Sequence, residues 1–113
     1  MTEIDPLVHE PARLLLLTLL SGVAAADFNF LLSATEMTKG NLSSHLARLE
    51  RAEYVAVTKS FRGKAPHTDY RLAGAGREAL AAYWRQFDEI RALYDGNDHR
   101  QHGWSSQLKE VAS

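Results

Sequence analysis

Thr38-Lys39-Gly40-Asn41-Leu42-Ser43-Ser44-His45-Leu46-Ala47-Arg48-Leu49-Glu50-Arg51 is the stretch on which the fold turns. Thr38 carries the hydroxyl of a helix N-cap, and the spacing predicts a helix from there to Arg51 or Ala52. At about 100° per residue with Leu42 at 0°, Leu46 falls near 40° and Leu49 near 340°. The three leucines therefore form one narrow apolar stripe. The opposite side holds Gly40, Ser44, Ala47, Arg48 and Arg51, with Asn41 and His45 toward one edge. It is small and polar at its start and basic further on. Small residues allow close approach to a groove, and Asn, Ser, His and Arg can meet base edges or phosphates. The helix N-terminus adds free amides for a phosphate. Seen alone, such a face is equally compatible with an ordinary solvated helix.

The flanking segments decide between these readings. Upstream, Phe28 to Thr35 is a short helix with Asp27 or Asn29 as cap, and Glu36-Met37 is the only connection to Thr38. Two helices joined by so short a turn form a helix-turn-helix. Downstream the period changes from 3.6 to 2 over Tyr54 to Lys59 and again over Thr68 to Leu72, with Arg62-Gly63-Lys64-Ala65-Pro66 as the loop. This is a hairpin whose tip gathers Lys59, Arg62, Lys64 and His67. A basic loop beside a groove-sized helix can track the backbone of a duplex or enter its minor groove.

Two longer helices frame this centre. Glu10-Pro11 opens the first, which carries Leu14, Leu15, Leu16, Leu17, Leu19 and Leu20 and ends near Ser21-Gly22. Its leucines occupy nearly every face, so it needs cover on more than one side. The last helix runs from about Ala75 to Tyr94, with Leu80, Tyr83, Trp84, Phe87, Ile90 and Tyr94 on one stripe. Its first turns close the core. Trp84, Phe87, Ile90 and Tyr94 are left for a two-fold interface with Leu15, Leu16 and Leu19 of the first helix. Such a homodimer would hold two third helices roughly 34 Å apart, one turn of duplex. From Asp95 to Ser113 a loose polar tail with at most a short helix is expected.

Composition bounds the alternatives. The chain has 113 residues, 45% apolar and 24% charged, which fits one globular domain. It has no cysteine, which excludes disulfides, cysteine-ligated zinc, iron–sulfur clusters and a thiol nucleophile. The net charge of −1 conceals a division along the chain. Residues 1–38 have one basic and five acidic residues, a net of −4; residues 39–71 have seven and three, a net of +4; residues 72–113 have five and six, a net of −1. The basic block coincides with the third helix and the hairpin. The leucine run is too short for a membrane span and the first residues are acidic, so a cytoplasmic location without membrane contact is expected.

The order of three helices, a two-stranded wing and a fourth helix resembles winged-helix transcriptional regulators of the MarR/ArsR type, nearest a compact bacterial and archaeal winged-helix DNA-binding family. The resemblance is carried by Asp5-Pro6-Leu7-Val8-His9-Glu10-Pro11-Ala12-Arg13-Leu14, by Thr38 to Leu46 with Leu49-Glu50, and by Tyr70-Arg71-Leu72 followed by Gly76-Arg77. It covers about residues 5–94. It implies a sequence-specific, dimeric repressor or activator acting on double-stranded DNA. Lys39, Asn41, Ser43, Ser44, His45 and Arg48 would be its reading face, and Arg62 and Lys64 its wing. The family usually has glycine where this chain has Glu53, and often a capping threonine where it has Ala73.

Other chemistries have weaker footing. His99 and His102 near Asp95 and Asp98 raise the idea of a metal, but a solvated tail is the preferred account of them, and no metal or cofactor is expected. His9-Glu10 lacks the second histidine of a zinc-protease motif, because position 13 is Arg. No spacing singles out a catalytic nucleophile. A protein-interaction winged helix and a sensor repressor responding to a metal or an unknown small-molecule effector remain the alternatives.

Overall fold

The computed structural model describes residues 3–99 of the chain. Four helices and a small sheet follow the order α1 (Pro11–Ser21), β1 (Ala26–Asp27), α2 (Phe28–Thr35), α3 (Lys39–Arg51), β2 (Val55–Arg62), β3 (Ala65–Leu72) and α4 (Gly74–His99). This is the expected winged helix-turn-helix, mainly α with a small β-hairpin. The sheet is antiparallel and three-stranded, ordered β1-β3-β2. Its third strand is an addition to the expected hairpin. Ala26 and Asp27 pair with Tyr70 and Asp69, anchoring the connection between α1 and α2 to the base of the wing.

The starts of α1, α2 and α3 each have a local cause. Glu10 precedes Pro11 and accepts the Arg13 amide at 2.9 Å. Asp27 caps α2 through the Phe30 amide at 2.7 Å, and Thr38 caps α3 through the Asn41 amide at 3.1 Å. At the other end of α3, Glu53 takes the left-handed conformation (φ 63°). The Tyr54 amide then reaches back to the Leu49 carbonyl at 2.9 Å, the closure that glycine usually provides. Left-handed backbone costs a side-chain-bearing residue about 1–2 kcal/mol, and glycine loses about 0.5–1 kcal/mol of unfolded-state entropy in exchange. Glu53→Gly is therefore expected to stabilise the fold by about 0.5–1 kcal/mol, read as a rise in thermal midpoint of about 2–5 °C. A lowered midpoint would contradict this account.

Val8, Leu16, Leu17, Leu20, Leu31, Leu42, Leu46, Leu49, Val55, Leu72, Leu80 and Tyr83 make one continuous core. The leucine stripe of α3 faces it as the wheel predicts. Leu16 is also fully enclosed there, at 0% exposure, which corrects its assignment to an intermolecular surface: the protomer's own core covers it. Leu15 is exposed and Leu19 half-buried, so the outer side of α1 is narrower than its leucine content suggests. The last helix is longer than expected. It continues past Tyr94 to His99, and Arg91 meets Asp95 one turn on at 4.0 Å, a weak exposed pair. His102 lies outside the described residues.

The wing too is longer than its alternation implied, because pairing continues from Lys59 and Thr68 out to Arg62 and Ala65. A two-residue turn, Gly63-Lys64, closes it. Gly63 has φ 64°, the positive value that a type II′ hairpin turn requires at its first central residue. Pro66 is tolerated inside β3 because β1 reaches only Asp69 and Tyr70, which leaves the outer edge of Pro66 without a neighbouring strand.

Candidate nucleic-acid interface

With Leu42, Leu46 and Leu49 buried, α3 presents Lys39, Asn41, Ser43, Ser44, Ala47 and Arg48 outward, all exposed. Thr38 stands at the helix mouth with its hydroxyl engaged by the Asn41 amide, so its role is to shape the N-terminus. Among the described residues neither Lys39 nor Arg48 has an ion-pair partner, and both charges face solvent. That is the electrostatic state in which phosphate can bind without first breaking a protein contact.

His45 departs from the expected face. It is half-buried, and its Nδ1 lies 3.2 Å from Nη1 of Arg13 and 3.8 Å from Oε2 of Glu10. A guanidinium only donates, so Nδ1 accepts and the ring proton belongs on Nε2. Arg13 is itself buried at 8% exposure, and its Nε donates to the Leu7 carbonyl at 2.6 Å. Burial raises the Glu10 carboxyl, but the Arg13 and Ala12 amides, with the neighbouring His45 and Arg13 side chains, outweigh it and hold the group below its ordinary value. The cluster links the segment before α1, the first turn of α1 and the middle of α3. His45 thus orients the helix from its inner edge. Arg13 was not singled out from the sequence as a functional residue, although a lone charge inside a leucine run is the signal that marks a buried partner.

The wing divides its charges. In strict alternation, Thr58, Ser60 and Arg62 share one face with Ala65, His67, Asp69 and Arg71, while Val57, Lys59 and Phe61 share the other with Pro66, Thr68 and Tyr70. Lys59 and Arg62 therefore stand on opposite sides of the ribbon, with Lys64 at its tip. His67 is occupied by Asp69, at 2.9 Å between Nε2 and Oδ1, and Arg71 donates to Thr58 at 3.3 Å. The basic tip consequently rests on Lys59, Arg62 and Lys64.

Below the interface, Tyr54 fastens the N-terminal segment to the sheet through a 2.6 Å bond to Asp5, which with burial pushes its phenol up to about 12. His9 Nδ1 lies 3.1 Å from the Tyr83 hydroxyl and ties the same segment to α4. Among the described residues no group of three or more His, Asp or Glu is placed to hold a metal ion, and no helix is long and apolar enough to cross a membrane.

Residues 12–91 match the family model described as a winged helix DNA-binding domain. The chain belongs to that family. This winged helix DNA-binding domain is 34% identical over 71 residues to an uncharacterized protein of Methanocaldococcus jannaschii, covering 63% of this chain and 77% of the relative. Its fold is similar to a transcriptional regulator homologue from Pyrococcus horikoshii OT3, with 26% identity, TM-score 0.71, and coverage of 83% of this chain and 90% of that one. It is also similar in fold to a point mutant of MepR from S. aureus bound to an oligodeoxyribonucleotide, with 16% identity, TM-score 0.63, and coverage of 96% and 86%. MepR is a transcription regulator of a multidrug efflux pump in that organism. DNA binding in transcription regulation, the function read from α3 and the wing, is what these similarities support.

Proposed function

We propose that the chain acts in the cytoplasm as a homodimeric, sequence-specific transcriptional regulator that lays α3 in the major groove and the wing on the adjacent backbone or minor groove. The observation that carries this reading is the outward face of α3. Asn41, Ser43 and Ser44, at the helix start, are short enough to meet base edges. Lys39 at the start of α3 and Arg48 nearer its end are both exposed and add positive charge on either side of them, and Lys59, Arg62 and Lys64 supply the second charged contact.

The dimer reading is supported by apolar surface. Trp84, Phe87, Ile90, Leu93 and Tyr94 of α4 and Leu15 of α1 are all exposed. Phe87, Ile90 and Tyr94 lie together on one side of α4, with Arg91 and Asp95 beside them. At 26 residues α4 is about 39 Å long, longer than the body beneath it requires. A contiguous aromatic stripe of this kind on a small domain marks an association surface.

Titration of the purified protein against duplex DNA from upstream of its own coding region at low salt tests the first part. Binding that weakens steeply with salt is expected, and absence of binding there and to a random-sequence duplex pool would end the proposal. Light scattering at micromolar concentration tests the second, with twice the chain mass expected; a monomer would overturn the dimer.

A further inference from the structure

The side chain of Phe61 is 73% exposed, more than any other large apolar residue among those described. It stands one residue before the end of β2, opposite Pro66 and two positions from Lys59 on the same face. Toward the body this face becomes the core-covering side, carrying Val55 and Leu72, and β2 there packs on α3. Phe61 is therefore on the side of the wing continuous with the reading helix. A lone exposed phenylalanine needs no explanation in general. This one is surrounded by charge of one sign: from Lys59 to Thr68 the chain holds Lys59, Arg62 and Lys64 and no acidic residue.

The tip is also slender. Gly63 and Ala65 flank Lys64, the turn has only two residues, and two paired strands are about 4.8 Å apart at the backbone. A basic ribbon with a narrow end and an apolar plate is built like the minor-groove elements that push phenylalanine, leucine or proline between base steps.

We propose that Phe61, backed by Pro66, is a wedge that the wing inserts into the minor groove of duplex DNA, partly unstacking one base step beside the site read by α3. This rests on the DNA-binding reading above and adds to it a contact of another kind. Lys59, Arg62 and Lys64 act on phosphates and release counterions. Phe61 acts on base stacking and releases none. Its contribution depends on how readily the step under it opens, so it favours flexible pyrimidine–purine steps at a position that no hydrogen bond reads.

The test uses the full chain and a duplex that it selects from a random-sequence pool, with 2-aminopurine placed in turn at each position of the flanks. The wild-type protein is expected to raise the fluorescence at one flanking step. Phe61→Ala should abolish that rise and weaken binding about ten- to hundredfold, with the slope of log affinity against log salt unchanged. Phe61→Leu, which keeps an apolar wedge, should retain most of both. Lys64→Ala should keep the fluorescence rise and lower the slope by about 1. The wedge is overturned if no flanking step responds to the bound wild-type protein, or if Phe61→Ala binds with wild-type affinity while Lys64→Ala is weakened. Failure of the wild-type chain to select any duplex would instead remove the DNA-binding reading itself.

Discussion

Alanine at position 76 is expected to destabilise the fold by about 3 kcal/mol or more, the upper end of what overpacking costs. Gly76 is buried in the first turn of α4, where the helix passes over the backbone of Tyr54. A β-carbon there would overlap the Tyr54 carbonyl oxygen and lie 2.8 Å from its carbon and 2.9 Å from Cδ1 of Leu72. That carbonyl also accepts the Ala73 amide at 3.0 Å, so it cannot turn aside without giving up the bond that docks the helix start. The obstruction is backbone, which has no rotamer to change. Gly74 provides the contrast, because a β-carbon there meets nothing within 4 Å. Gly74→Ala should cost nothing and gain up to about 1 kcal/mol from reduced unfolded-state entropy. Urea unfolding of the two variants should therefore shift the midpoint in opposite directions. A Gly76→Ala protein within about 1 kcal/mol of wild type would refute the packing argument.

The second large effect is on DNA. Replacing both Lys39 and Arg48 with alanine is expected to weaken duplex binding about a hundredfold, with each single variant losing about tenfold. The two residues are nine positions apart, so about 13.5 Å separates them along the helix and their losses should add. Both are exposed, which makes the change nearly silent for folding. If both reach phosphates, the double variant should also lower the salt slope by about 1.8, since each neutralised phosphate contributes about 0.9. Filter binding or anisotropy over a salt series reads both quantities. Wild-type affinity in the double variant would remove α3 from the interface while leaving the fold intact.

The elements legible in the sequence are those whose signal is local and periodic. Thr38 and the stripe of Leu42, Leu46 and Leu49 could be placed from residue chemistry alone, and the structure has them so; of the two caps open for α2, Asp27 and Asn29, it uses Asp27. The irregular cap at Glu53 followed from a missing glycine. What escaped depends on partners far along the chain. β1 is two residues long and has no alternation; only its pairing with Asp69 and Tyr70 makes it a strand. The outer wing escaped because Ser60 to Arg62 carry no hydrophobic period, and Pro66 looked like a break. α4 beyond Tyr94 is hidden by Asp95-Gly96-Asn97, a poor helical composition that an already formed helix can still carry.

At the candidate site the same division holds. Asn41, Ser44 and Arg48 follow from wheel geometry, because exposure follows from the position of the leucines, whereas Lys39 and Ser43 come from the family resemblance. His45 sits on the same wheel near the edge, and its true environment is set by Arg13, thirty-two residues earlier. Leu16 and Leu15 are neighbours of the same type, yet one is enclosed and the other exposed. Which leucine faces inward is decided by the path of the other helices, which no single-helix pattern contains.

The buried guanidinium of Arg13 has a mechanical consequence. Its donors leave in different directions, one to the Leu7 carbonyl and one to His45, so it works as a rigid bracket between the approach to α1 and the middle of α3. Lysine, with a single charged end, could not span the same corner. A helix braced in this way is held against swinging on its short connecting turns. On the DNA-binding reading proposed above, misfit with a duplex would then fall mainly on the DNA, and sites would be ranked by how cheaply they bend.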